Sequence, residues 1–171
     1  MAAGHLFVLG GARSGKTAFA EQTALATGKA PVYLATGGAG DAEMAARIEA
    51  HRAARGPAWR TVEEPLNLAA AISRESRAET VILVDCLTLW LSNLMADDAD
   101  PLAAGAGLVE ALAAAAGPVI LVSNEVGQGI VPANPLARRF RDAAGRLHQT
   151  VAAAVPRAVF IFAGLPINLK G

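Results

Sequence analysis

Hydrophobic positions in this chain fall into two patterns that alternate along its length. Short solid runs, such as Leu6-Phe7-Val8-Leu9, Val81-Ile82-Leu83-Val84 and Val119-Ile120-Leu121-Val122, read as strands buried on both faces. Longer stretches between them carry helical spacing. The pattern predicts strands over residues 5–9, 31–36, 60–63, 81–84 (ending at Asp85), 119–122 and, as the last, 158–162. Helices are expected over 16–27, 41–55, 66–73, 87–95, 102–116 and 135–154. The punctuation agrees: Gly28 can end the first helix, Asp41 can cap the second, and Gly56-Pro57 stops it. Strands alternating with helices predict an α/β fold with a mostly parallel sheet flanked by helices. No repeat or long linker interrupts it, so residues 1–171 are expected to form a single catalytic domain.

Composition narrows the class. A hydrophobic fraction of 53% and a mean hydropathy of +0.37 suit a buried sheet under Ala-rich helices and do not suit disorder. Fifteen basic residues balance fifteen acidic ones, so no global field recruits nucleic acid or an anionic membrane. No apolar run approaches the ~18 residues of a membrane span, and the N-terminus lacks a signal-peptide pattern. A single cysteine, Cys86, excludes an intrachain disulfide. A cytoplasmic, soluble enzyme is the expectation.

The most specific local pattern follows the first strand. Gly10, Gly11, Ala12, Arg13, Ser14, Gly15, Lys16 and Thr17 match G-x-x-x-x-G-K-[ST], a phosphate loop between a strand and a helix. Its glycines let backbone N–H groups curl around phosphate, and the helix N-terminus adds partial positive charge. Lys16 is placed to reach the β/γ-phosphates and the Thr17 hydroxyl to ligate Mg²⁺. Asp85, at the end of a buried strand, matches the acid that holds Mg²⁺ in such proteins.

Other constellations stay open on the residues alone. Arg47, His51 and Arg55 share one helix face at i, i+4, i+8, which suits either a polyphosphate site with a nucleophilic imidazole or a solvated face. The polar loop 123–132 ends a buried strand, where ligands bind in open sheets, and feeds Asn134 and Arg138, Arg139 and Arg141. These arginines suit a phosphorylated substrate or solvent equally. His5, His148, Trp59, Trp90 and Cys86 read as structural.

Together these residues resemble a known family. The motif at 10–17, Tyr33-Leu34-Ala35-Thr36, the segment 41–55, Trp59-Arg60-Thr61-Val62-Glu63, Val84-Asp85-Cys86-Leu87-Thr88 and, most specifically, Ser123-Asn124-Glu125-Val126-Gly127-Gln128-Gly129 are similar to the bifunctional adenosylcobinamide kinase/adenosylcobinamide-phosphate guanylyltransferases of cobalamin biosynthesis. The resemblance implies a P-loop NTPase fold of the RecA-like kind. It implies phosphorylation of adenosylcobinamide with ATP or GTP, then transfer of GMP from GTP through a GMP-histidine intermediate at His51. It places GTP contacts on the phosphate loop, on Ala35, Thr36 and Gly37, on Arg52, Ala53, Ala54 and Arg55, and on Glu63 and Asp85. Mg²⁺, a corrinoid substrate and a homo-oligomer, a trimer, are implied with it. Members often carry Glu where Asp85 stands and Asn where His148 stands. A kinase of another small hydroxylated substrate is the rival. A GTP-driven switch is disfavoured because no Asn-Lys-x-Asp motif is present.

Overall fold

The apolar runs become the strands of one sheet in a computed structural model, which describes residues 4–37 and 55–171. The elements are β1 (Leu6–Gly10), α1 (Lys16–Ala26), β2 (Ala30–Ala35), β3 (Arg60–Glu63), α2 (Leu68–Glu75) and β4 (Thr80–Asp85). They continue as α3 (Leu87–Ala96), α4 (Pro101–Ala114), β5 (Val119–Asn124), α5 (Pro135–Ala154), β6 (Arg157–Phe162) and β7 (Leu165–Lys170). The helix expected over 41–55 lies outside the described residues apart from Arg55.

The strand order is β3-β2-β4-β5-β1-β6-β7. Every neighbouring pair is parallel except β6 with β7. Side-chain alternation splits β1 between two cores: Leu6 and Val8 join Ala20 and Ala24 of α1, while Phe7 and Leu9 join the buried faces of α2 to α5. Small residues at 20 and 24 let α1 lie close over the centre of the sheet, with the phosphate loop at its N-terminus. That helix begins at the carboxyl end of β1, the end of a parallel sheet at which ligands bind.

Three boundaries moved for local reasons. α2 starts two residues later than expected, because the Glu64 carboxylate accepts from the backbone N–H groups of Leu66 and Asn67 and holds them outside the helix. α4 begins at Pro101 because the Asp100 side chain caps it, accepting from Leu102 N at 2.9 Å. β5 runs on through Ser123 and Asn124, which puts both residues on the sheet rather than in a loop.

One expectation is corrected: 158–162 is not the last strand. β7 pairs antiparallel with β6, closing a hairpin in which Phe162 faces Leu165 across Ala163 and Gly164. Both turn residues have positive φ, 52° and 80°, as a two-residue hairpin turn with the twist of its strands requires. Pro166 lacks the N–H that a central strand would need. It is tolerated because β7 is the sheet edge and exposed throughout.

His5 and His148 are structural, and both are buried at 3% and 8% exposure. Val119 N–H donates to Nδ1 of His5 at 3.1 Å, and the opposite ring nitrogen, Nε2, lies 2.9 Å from the Leu112 carbonyl. That pairing needs the neutral ring, since a protonated Nδ1 would face a second donor. Burial lowers the pKa of both histidines below 6.5, against smaller opposing contributions from Leu112 and Glu125. A base whose pKa falls on folding binds fewer protons folded than unfolded, so its penalty is absent above the unfolded value and grows as pH drops below it. Stability is therefore expected to decline from about pH 6.5 downward, by at most about 1.4 kcal/mol per pH unit per histidine. Urea midpoints at about pH 7.5 and about pH 5.5 check this, with His5→Gln showing the shallower decline. Equal midpoints for the native chain would mean that both rings protonate without cost.

Candidate nucleotide site

The loop between β1 and α1 owes its shape to backbone constraints. Gly10 has no room for a side chain, since a Cβ there would lie 2.5 Å from Ser14 Oγ and 2.8 Å from the Ile161 carbonyl. Arg13 and Gly15 have φ of 55° and 95°, which turns the chain back on itself. Ser14 N donates to Gly11 O at 3.3 Å, and Gly164 N of the hairpin turn donates to Ser14 O at 2.9 Å. The β6–β7 turn therefore buttresses the phosphate loop. No signal for this contact was readable from the sequence.

Lys16 is 8% exposed and donates from Nζ to Gly11 O at 3.0 Å, bent back over the loop. Burial pulls its pKa below the usual lysine range, and the charges of Asp85 and Cys86 oppose that pull. The Ser14 hydroxyl is buried with no hydrogen-bond partner among the described residues. A buried ammonium and an unanswered hydroxyl at a helix N-terminus form a cradle for phosphate oxygens.

The acidic pole faces this cradle from β4. Asp85 Oδ2 accepts from Thr17 Oγ1 at 3.1 Å and from the Tyr33 hydroxyl at 2.9 Å. This ties α1, β2 and β4 to one carboxylate. Burial first, then the charge of Asp85, drives the Tyr33 pKa well above the usual phenol range, so the ring stays a donor. The Arg55 guanidinium lies 3.5 Å from the centroid of that ring, and Trp59 meets it edge-on at 6.1 Å. Behind them Thr36 locks the tips of β2 and β4 together. Its hydroxyl donates to Cys86 O at 2.7 Å and accepts from Cys86 N at 2.8 Å, while Asn93 Nδ2 donates to Thr36 O. Burial also raises the pKa of the Cys86 thiol, consistent with an inert residue.

The two poles open on a cavity of about 730 Å³ at the carboxyl ends of the strands. Of the residues expected at the site, Ala12, Arg13, Lys16, Thr17, Ala35, Gly37, Arg55, Glu63 and Asp85 line it. Thr36 is fully buried beneath it. His51, Arg52, Ala53 and Ala54 lie outside the described residues, as does Arg47. Tyr33, Thr88, Asn124 and Glu125 also line the cavity and were not singled out as nucleotide contacts. Their places at the site depend on strand order.

Hard oxygen donors from one hydroxyl and one carboxylate, beside room for phosphates and water, are the donor set that Mg²⁺ takes. Among the described residues no group of three His, Cys, Asp or Glu could hold a metal alone. No described helix is long and apolar enough to cross a membrane.

Residues 6–169 match the family described as cobinamide kinase / cobinamide phosphate guanyltransferase. The chain is 51% identical to the bifunctional adenosylcobalamin biosynthesis protein CobP of Pseudomonas aeruginosa, over 96% of each chain. It is 39% identical to the bifunctional adenosylcobalamin biosynthesis protein CobU of Escherichia coli, over 96% of this chain and 99% of that one. Among solved structures it is similar to the RadB recombinase (TM-score 0.56, 18% identity, 93% of this chain and 74% of that one). It is also similar to the flagellar accessory protein FlaH of Methanocaldococcus jannaschii (TM-score 0.53, 15% identity, 99% and 80%). These two likenesses bear out the RecA-like P-loop fold.

Proposed function

We propose, from the premise that the chain belongs to the cobinamide kinase / cobinamide phosphate guanyltransferase family, a division of its two activities among the residues described above. The protein is a bifunctional kinase and guanylyltransferase of cobalamin biosynthesis: it phosphorylates cobinamide, then attaches GMP to the new phosphate. The observation that carries the assignment of residues is the Thr17–Asp85 hydrogen bond, which joins the phosphate loop to the acid of β4 at the floor of the cavity.

Lys16 and the amides of residues 10–17 bind the triphosphate and offset charge that builds on the transferred phosphoryl group. Thr17 and Asp85 would hold Mg²⁺, which when bound neutralises phosphate charge. Glu63, Ala35, Gly37 and Arg55 surround the rest of the nucleotide. In the second activity His51 attacks the α-phosphorus of GTP and pyrophosphate leaves, then the corrinoid phosphate displaces the histidine. Splitting the transfer this way replaces one difficult displacement with two easier ones. Arg52 and Arg55 stabilise the charge that develops. A cavity of about 730 Å³ suits a nucleotide, so the corrin ring stays at its mouth. The working form is a cytoplasmic homotrimer.

Incubation of the chain with adenosylcobinamide, Mg²⁺ and GTP, followed by chromatography of the corrinoids, tests this. The expected products are the corrinoid phosphate first, then its GDP ester with release of pyrophosphate. Accumulation of the phosphate alone would make the chain a kinase only, and unmodified corrinoid with GTP bound would remove the reading.

A further inference from the structure

The segment that begins at Ser123 is distinctive in the sequence, yet the division of roles above leaves its acid unused. Among the described residues three carboxylates line the cavity: Glu63, Asp85 and Glu125. Asp85 is committed, with two hydroxyls donating to one of its oxygens. Glu63 ends β3, and β2, β4 and β5 lie between that strand and β1. Glu125 is different. It follows β5, the direct neighbour of β1, and its backbone N–H donates to Gly10 O at 3.0 Å, so it stands beside the phosphate loop.

Its side chain is held at one oxygen and stands near an imidazole at the other. Oε1 accepts from Gly127 N–H, and Oε2 lies 3.9 Å from Nδ1 of the buried His148. The far side of that imidazole, Nε2, is 2.8 Å from Ser123 Oγ, and its ring packs on Phe7 at 5.7 Å between centroids. Ser123 is fully buried, so the imidazole beside the carboxylate is anchored to the strand that Glu125 follows. The side chain of Glu125 keeps 23% of its surface exposed, toward the cavity.

We propose that Glu125 is the general base of the phosphorylation step, a role that rests on the kinase reading above. As the acceptor hydroxyl oxygen attacks the γ-phosphorus, Glu125 takes the hydroxyl proton. The new O–P bond forms, the bond to the β,γ-bridging oxygen breaks, and the nucleoside diphosphate leaves with the electron pair. The proton then passes from Glu125 to water. The second activity has no use for this base, because its acceptor is a phosphate already ionised near neutral pH.

The two activities separate the roles. With γ-labelled GTP and cobinamide, Glu125→Gln is expected to lower kinase kcat by roughly 10²–10³-fold with the KM for GTP changed less than about threefold. With α-labelled GTP and supplied cobinamide phosphate, the same variant should lose less than about tenfold in GMP transfer. Glu125→Asp, which keeps a carboxylate one methylene back, should recover part of the kinase rate. A kinase kcat in Glu125→Gln within about threefold of native, or a parallel fall of both activities, overturns the proposal. If Glu125→Gln does not fold, Glu125→Asp decides, since its kinase activity must fall more than its transfer activity. A native chain that leaves cobinamide unphosphorylated removes the kinase reading and this proposal together, whereas an active native chain with an active Gln variant removes the proposal alone.

Discussion

Lys16→Ala is expected to weaken GTP binding by about a hundredfold and to lower kcat/KM of both activities by roughly 10²–10³-fold. The ammonium is buried at 8% exposure, and its hydrogen bond runs to Gly11 O within its own loop. It is held for a ligand rather than for the fold. Taking a charged amine out of water costs stability, and the lowered pKa of Lys16 reports that cost, with Asp85 only partly offsetting it. Alanine at the first position of α1 removes the cost and carries a high helix propensity. The thermal midpoint of the variant should therefore stay level or rise while binding collapses. Isothermal titration with GTP and a thermal melt on one preparation check both halves. Unchanged GTP affinity would remove the phosphate-loop assignment. A large fall in the midpoint would show that Lys16 serves the fold.

His51→Ala should abolish GMP transfer and retain kinase activity. The phosphorylation step needs the phosphate loop, Thr17, Asp85, Glu125 and an acceptor hydroxyl, none of which is His51. The transfer needs a nucleophile that accepts GMP and then gives it up, which a neutral imidazole does well. Native protein incubated with α-labelled GTP and Mg²⁺ should retain label through denaturation in alkali and lose it in acid, the behaviour of a phosphoramidate. His51→Ala should carry no label. Equal loss of kinase and transfer in the variant would count against the nucleophile role, as would label that persists without His51.

Much of the framework was legible because it is written in local patterns. A solid apolar run of four residues has few alternatives to a buried strand, and β1, β4 and β5 are where those runs are. The phosphate loop was legible because its glycines, lysine and threonine each answer a requirement within eight consecutive residues. β3 over Arg60–Glu63 and α5 over Pro135–Ala154 have the expected bounds, the latter because Asn134 caps it, accepting from the backbone of Leu136 and Ala137 ahead of Pro135. β7 was missed because its tolerance for Pro166 comes from being an edge, a property of the sheet and not of the segment.

By itself the sequence determined the α/β alternation, the strand–glycine-rich loop–helix segment at 10–17, the acid at the end of β4 and the resemblance to a family. These depend on contacts between near neighbours in the chain, where residue type and spacing leave little freedom. Only the tertiary structure decided that β5 enters between β1 and β4. That order brings Glu125 to the phosphate loop, while the pairing of β2 with β4 sets the Tyr33 hydroxyl on Asp85 across 52 positions of chain, and the pairing of β6 with β1 lays the Gly164 turn against Ser14. Such contacts join residues far apart in sequence. They are selected by how whole faces of the sheet bury their apolar area, and no local pattern encodes that choice.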